Sequence, residues 1–596
     1  MPSYHAPLRD MQFVLHETLK VCDPTQLDRF THIDEDLIND ILGEGAKFAE
    51  QALAPLNLVG DKEGCTRRDD GSVTTPAGFK EAYDTLVNNG WPSLTHDPEH
   101  DGQGLPDFMG VVVNEMFTSA NSSFTNYPGL TTGAIKAISI GGSDQQKLTY
   151  LPKMISGKWS GTMNLTEPQC GTDLGLIKTK AEVQADGTYR ITGQKIFITA
   201  GEHDLTENII HLVLARTPDA PPGVKGISLF IVPKVTVGDG GQLLERNGVS
   251  CGALEEKMGI HASATCVMNY DDAIGYMVGE ESKGLHVMFV MMNAARISVG
   301  MQAFSQSEVA YQNAVAYASD RLQGRALTGA ENPSGPADPL IVHPDVRRML
   351  MDTKSFNEGA RMLVYWAAFS GDLQVNGTSK ELRERSGDLL ELLTPVIKGF
   401  LTDIALKATV DCQQIFGGHG YVEEWGMSQF VRDARITALY EGANGIQALD
   451  LVGRKLGQNN GRALIALNTE LEAFLEENRT NKDIKEFVSG LEGARAKLTE
   501  GTVWLMEHGL TNPNNAAASS TDFMHMMGYL ALTYMWSKMA VVAQAAIDDG
   551  EKDKFYANKL ITGRYFIQRV LPMIDTHLAR LKTGAAPVMA LDAASF

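Results

Sequence analysis

The sequence predicts a multidomain α+β chain that is mainly helical: a helical segment, a β segment, a helical bundle and a further helical segment. Three observations carry this. The chain has 596 residues, more than one hydrophobic core organises. Its apolar period is helical at first, alternates between about Gly161 and Gly279, and returns to helical after Gly284. The order helices, strands, helices lacks the βαβ alternation of a doubly wound sheet.

Residues 1–160 read as a helical domain. Asp34 to Leu56 carries Leu37, Ile38, Ile41, Leu42, Phe48 and Leu53 at helical spacing, behind the acidic Asp34-Glu35-Asp36 that suits a helix N-terminus. Pro76 to Asn89 repeats the pattern, and Asp97 to Gly104 is rich in turn formers. Residues 161–279 read as short strands, such as Tyr189–Thr192 and Lys195–Thr199, and predict a small β-barrel. Residues 280–457 form the predicted bundle, from Leu285–Ala318, Asp345–Phe369, Leu389–Ile415 and Ile436–Leu456. Gly324 to Ala337 reads as a surface loop, and Gly457 to Gly461 as a linker. Residues 458–596 form a helical extension, with a loop expected at Asn512–Thr521.

Charge narrows the function. The net charge is −21, which argues against nucleic acid and anionic membranes. The six cysteines are scattered, without CxxC, so no zinc site is indicated and a reducing compartment is expected. The first residues show no secretory pattern, and no long charge-free apolar run is evident, so a cytoplasmic location is the expectation. GxGxxG after a strand, GxxxxGK[ST] and HExxH are all missing. This speaks against Rossmann dinucleotide binding, P-loop hydrolysis and zincins.

The candidate catalytic stretch is Ile436-Thr437-Ala438-Leu439-Tyr440-Glu441-Gly442-Ala443-Asn444. A carboxylate beside Leu439 and Tyr440 can be desolvated into a stronger base, and Gly442 allows close backbone approach. A solvated carboxylate at a helix end is the plainer alternative. Three further stretches offer ligand contacts. Leu165 to Asp173 combines hydroxyls with a glycine turn, but also suits a turn entering a strand. Gln413 to Tyr421 holds three glycines, which a helix C-cap explains equally well. Arg321 could pair with a phosphate or simply face solvent at a helix end.

In order and spacing, these stretches resemble the acyl-CoA dehydrogenase family over residues 35–456. Lys195–Gly201, Lys257–His261 and Arg296 also carry the likeness. The extension resembles a long bacterial subgroup. The resemblance implies FAD held between a helical domain, a β-barrel and a helical bundle. Leu165, Thr166, Gly171, Thr172, Phe197, Ile198 and Thr199 would line the flavin. Arg321, Gln414, Gly417 and Gly418 would hold its pyrophosphate and adenosine end, across a homodimer interface. Thr172, Asn293, Arg296, Tyr440 and Gly442 would meet the acyl-CoA. Glu441 would take the α-proton while a hydride passes to flavin N5, with its own N–H helping to stabilise the thioester oxygen. Electron-transfer flavoprotein is the implied acceptor. The alternative readings are a general dehydrogenase of short- to long-chain fatty acyl-CoAs and an acyl-CoA oxidase sharing the fold.

Overall fold

The computed structural model describes residues 2–27, 29–30, 32–238 and 240–596. The chain folds as two compact units. One takes residues 47–110 and 120–295; the other takes 1–46, 111–119 and 296–596.

The first unit holds the strands. Its seven-stranded main sheet comprises, in chain order, β1 (Trp159–Asn164), β2 (Lys180–Val183), β3 (Tyr189–Thr199), β4 (Asn208–Ala215), β5 (Ser228–Pro233), β6 (Val249–Leu254) and β7 (Thr265–Val278). They pair in the order β1-β4-β5-β7-β3-β2, with β6 also on β7. Every residue of β4 and β5 is buried, so these strands read as apolar runs rather than alternating ones. The sheet curls until its ends meet. Lys180, at the start of β2, bridges Arg216 just after β4, and Ile196 N donates to Thr166 O at 2.9 Å just after β1. The expected barrel is therefore closed by single bridges and not by a full ladder. Helices Ser122–Gly141 and Asp144–Ile155 pack on it through Ala134, Ile138, Leu151 and Met154, against Trp159, Ile210 and Leu212.

The second unit is helical. Its long members are Pro344–Asn376, Lys380–Ile415 and Pro513–Asp548, together with most of Gly284–Asp320, within which the chain passes from one unit to the other. Arg361 is fully buried within it. Its guanidinium donates to Glu115 and Asp10, and Tyr365 donates to the second Glu115 oxygen at 2.6 Å. A buried cation is tolerable only when paired in this way.

Two expectations need correction. Asn512–Thr521 is not a loop: the Asn512 side chain accepts from Asn514 N at 3.1 Å and Pro513 starts the helix, so the polar stretch is a cap and first turns. Ile436–Leu456 is not one helix, because residues 439–443 break it and Glu441 adopts a left-handed φ of 54°. Two helices, Gly284–Asp320 and Pro513–Asp548, do have the length and composition to cross a membrane. More than half of each apolar window, 56% and 61%, is buried inside the protein, which is how core helices behave.

Candidate active site

The helical unit builds the surroundings of Glu441. Helix Met427–Arg435 runs into a 3-10 turn at Ile436–Ala438; the chain then reverses and the next helix begins at Asn444. A non-glycine residue in the left-handed region costs about 1–2 kcal/mol, so neighbours must hold Glu441 there. Gln447 Nε2 does so, donating to the carbonyls of both Glu441 and Gly442 at 3.3 Å. Gly442 follows at φ 86°, a conformation that suits glycine. Tyr440 is anchored by its hydroxyl, which donates to Gln302 Oε1.

Burial raises the Glu441 carboxyl from the usual carboxylate range to about 7; Arg296 and Lys398 pull the other way without cancelling it. Arg296 is buried and lies 3.7 Å from Asp450. Lys398, also buried, donates to Asn444 Oδ1 at 2.8 Å. Burial lowers this ammonium to about 8, with Glu441 and Asp403 opposing. Near neutral pH the carboxylate can therefore accept a proton and the cations beside it persist. That is the equipment of a general base.

The unit also assembles the predicted pyrophosphate residues. Tyr317, one turn before Arg321, stacks on Phe416 at 4.1 Å, and its hydroxyl meets His419 Nδ1 at 2.8 Å. The end of that helix thus sits beside the Gly417–Tyr421 turn. Arg321, Gln414, Gly417 and Gly418 are all exposed. A Cβ added at Gly417 or Gly418 would meet nothing within 4 Å, so the backbone there is open to an extended anionic ligand.

The strand unit groups the predicted flavin residues. Lys195 Nζ donates to Leu165 O at 3.0 Å and to Glu167 Oε1 at 2.8 Å, which ties the 165–173 turn to the end of β3. A bulge sets two residues, Ile196 and Phe197, opposite Val267. Bulges re-aim side chains, and here Phe197, at φ 60°, is left 59% exposed. Thr166 and Thr199 are partly exposed, Gly171 and Thr172 fully so, while Ile198 points inward and offers only backbone. An exposed aromatic among hydroxyls and turn backbone fits a planar ring with a polar edge. Asn293 is exposed on its helix, three residues before Arg296.

Sequence reasoning missed Gln302, Lys398 and Gln447, and gave Asn444, inside the candidate stretch, no role. Only Lys398 carried a signal: a lysine inside the apolar run Val396-Ile397-Lys398-Gly399-Phe400 is seldom buried without a task.

Four family descriptions match the chain: "Acyl-CoA dehydrogenase, N-terminal domain" at residues 44–158, "middle domain" at 162–273, "C-terminal domain" at 282–456, and "Acetyl-CoA dehydrogenase C-terminal like" at 467–592. A 3-methylmercaptopropionyl-CoA dehydrogenase of Ruegeria pomeroyi is 44% identical, over 97% of this chain and 98% of its own. The broad-specificity linear acyl-CoA dehydrogenase FadE5 of Mycobacterium tuberculosis is 33% identical over the full length of both. A solved Bacillus anthracis acyl-CoA dehydrogenase, complexed with FAD, shares the fold with a TM-score of 0.75 at 19% identity, covering 93% of this chain and 89% of that one.

Proposed function

Because the chain belongs to the acyl-CoA dehydrogenase family, we propose that it oxidises 3-(methylthio)propanoyl-CoA to 3-(methylthio)acryloyl-CoA, with Glu441 as the base. FAD is the family's cofactor and, when bound, supplies the acceptor for the hydride that leaves the β-carbon. Glu441 takes the α-proton: the Cα–H bond breaks and the proton rests on the carboxylate. The observation that carries this reading is the half-buried Glu441, held in a left-handed turn by Gln447 near Arg296 and Lys398, with its carboxyl raised to about 7. A base matched to the working pH combines the right protonation state with driving force.

Leu165, Thr166, Gly171, Thr172, Phe197, Ile198 and Thr199 would hold the flavin, and Arg321, Gln414, Gly417 and Gly418 its phosphates and adenosine. Asn293, Arg296, Tyr440, Gly442 and Thr172 would meet the substrate. In this reading residues 1–160, 161–279, 280–457 and 458–596 act as four domains of a cytoplasmic homodimer that reduces electron-transfer flavoprotein, a step in dimethylsulfoniopropionate breakdown.

The acyl group rests on the likeness to the Ruegeria enzyme. The likeness to FadE5 favours a second reading, a dehydrogenase of ordinary fatty acyl-CoAs. Turnover over a panel of acyl-CoAs with an artificial acceptor separates them. The highest kcat/KM is expected for 3-(methylthio)propanoyl-CoA; a higher value for a longer straight chain would overturn the assignment. Steady peroxide formation without an added acceptor would indicate an oxidase.

A further inference from the structure

Lys398 lies inside an apolar run and is fully buried. Its ammonium begins a series of polar and ring contacts. It donates to Asn444 Oδ1, and Asn444 Nδ2 reaches Thr402 Oγ1 at 2.8 Å and Asp403 Oδ1 at 2.7 Å. The other Asp403 oxygen meets His525 Nε2 at 3.0 Å. The His525 ring faces that of His577 at 4.8 Å, and His577 Nδ1 meets Asp522 at 2.8 Å. Arg580, mostly exposed, approaches the same Asp522 oxygen at 3.4 Å. The path therefore runs from the neighbourhood of Glu441 to the surface of the C-terminal segment.

Close helix packing surrounds this path. His525 belongs to helix Pro513–Asp548, which lies directly against Lys380–Ile415. A Cβ at Gly399 would collide with Met524, and one at Gly528 with the Phe400 ring. Two glycines, one on each helix, thus let the backbones approach where Lys398 is held.

We propose that Lys398 is a positioning residue for proton abstraction: its ammonium, fixed to Asn444 three residues beyond Glu441, with Asn444 tied in turn to Asp403 and through it to His525 of the C-terminal segment, favours the ionised form of Glu441. The proposal rests on Glu441 being the base. Burial alone pushes that carboxyl up, and Lys398 is one of two cations that oppose it. The second is Arg296, itself engaged with Asp450, which Arg454 also pairs. Asp433, beside Tyr440, and Asp403 supply the nearby negative charge. His525 presents an N–H edge to Asp403 whether its ring is neutral or charged, and so offsets part of that charge.

The test is the acid limb of kcat/KM against pH, with FAD content and thermal unfolding measured on the same preparations. Lys398→Met removes a cation, so the limb should move up by about one pH unit. Lys398→Arg should return it toward the starting position. Asp403→Asn removes a negative charge, so its limb should move down. His525→Ala uncovers Asp403, so its limb should move up, by less than in Lys398→Met. A purely structural role would lower activity at every pH without these opposed shifts. An unmoved limb in a folded, FAD-bound Lys398→Met enzyme overturns the proposal. If that variant fails to fold, Asp403→Asn and His525→Ala decide, since shifts in one common direction overturn it as well. Glu441→Gln keeps the two readings apart. Retained turnover there removes the base itself, whereas an inactive Glu441→Gln with an unmoved Lys398→Met limb removes only the role of Lys398.

Discussion

Glu167 and Glu441 are two carboxylates, one in each unit, each with a buried lysine nearby, yet their proton affinities diverge. Burial raises both. At Glu167, the Lys195 charge and hydrogen bond, Thr179 and the Lys178 N–H outweigh burial and hold the carboxyl down at about 2. Its Oε1 accepts from Lys195 at 2.8 Å and Thr179 Oγ1 at 2.6 Å; its Oε2 accepts from Lys178 N at 2.7 Å. At Glu441, no hydrogen-bond donor among the described residues reaches the carboxyl, and burial wins, giving about 7. The lesson is that hydrogen bonding, more than the nearness of a lysine, separates a strut from a base. A carboxylate whose lone pairs are filled cannot accept a substrate proton.

Removing each carboxylate's function should therefore damage different things. Glu441→Gln should cost at least 10²–10⁴-fold in kcat, the usual range for a general base, while FAD content and stability stay near wild type. Turnover and flavin absorbance of the purified variant check this. Lys195→Met should instead leave Glu167 buried and unpaired, destabilising the strand unit by about 3–5 kcal/mol. Urea unfolding measures that loss.

The same contrast predicts opposite responses to pH. The Glu167 carboxyl is depressed to about 2 against an ordinary 4.5. The unfolded chain binds more protons between those values, so this group's contribution is full above 4.5 and is lost as pH falls toward 2. The Glu441 carboxyl is raised to about 7. Here the folded chain binds more protons, so stability falls as pH rises from 4.5 through 7. Comparing the pH dependence of unfolding in wild type and Glu441→Gln should show that second slope disappear. An unchanged slope would mean that Glu441 is solvated like any surface carboxylate.

Much of this was legible in the sequence, and the exceptions have physical causes. The change of apolar period marked the strands because β3 keeps partial alternation even where it bulges. Gly417 and Gly418 were visible as glycines, but that their backbone faces open space depends on the Tyr317–Phe416–His419 stack, which brings together residues about a hundred positions apart. The left-handed Glu441 was hidden because its conformation is imposed by Gln447 and not by its own type. Lys398 lies 43 residues before Glu441, and no periodicity links a lysine on one helix to a turn after another. The Asn512 start was misread because Asn, Ala and Ser also make loops; the Asn-Pro pair is the cap signal that should have prevailed.

The gentlest way to sharpen the comparison is Thr179→Val, which keeps shape and removes one hydroxyl. Thr179 gives Glu167 both its Oγ1 and its backbone N–H, the latter at 3.1 Å. Valine retains the backbone donor, and Lys195 and the Lys178 N–H remain, so the carboxylate stays ionised with one lone pair uncovered. A hydrogen bond to a charged group contributes about 1.5–3 kcal/mol, and the loss should lie near the low end because the other donors can tighten. Urea unfolding should register that loss, with kcat/KM and its acid limb unmoved, since Thr179 acts only on the strut. A shift of the limb in Thr179→Val would show that the two carboxylates are coupled, and the division of labour between them would fail.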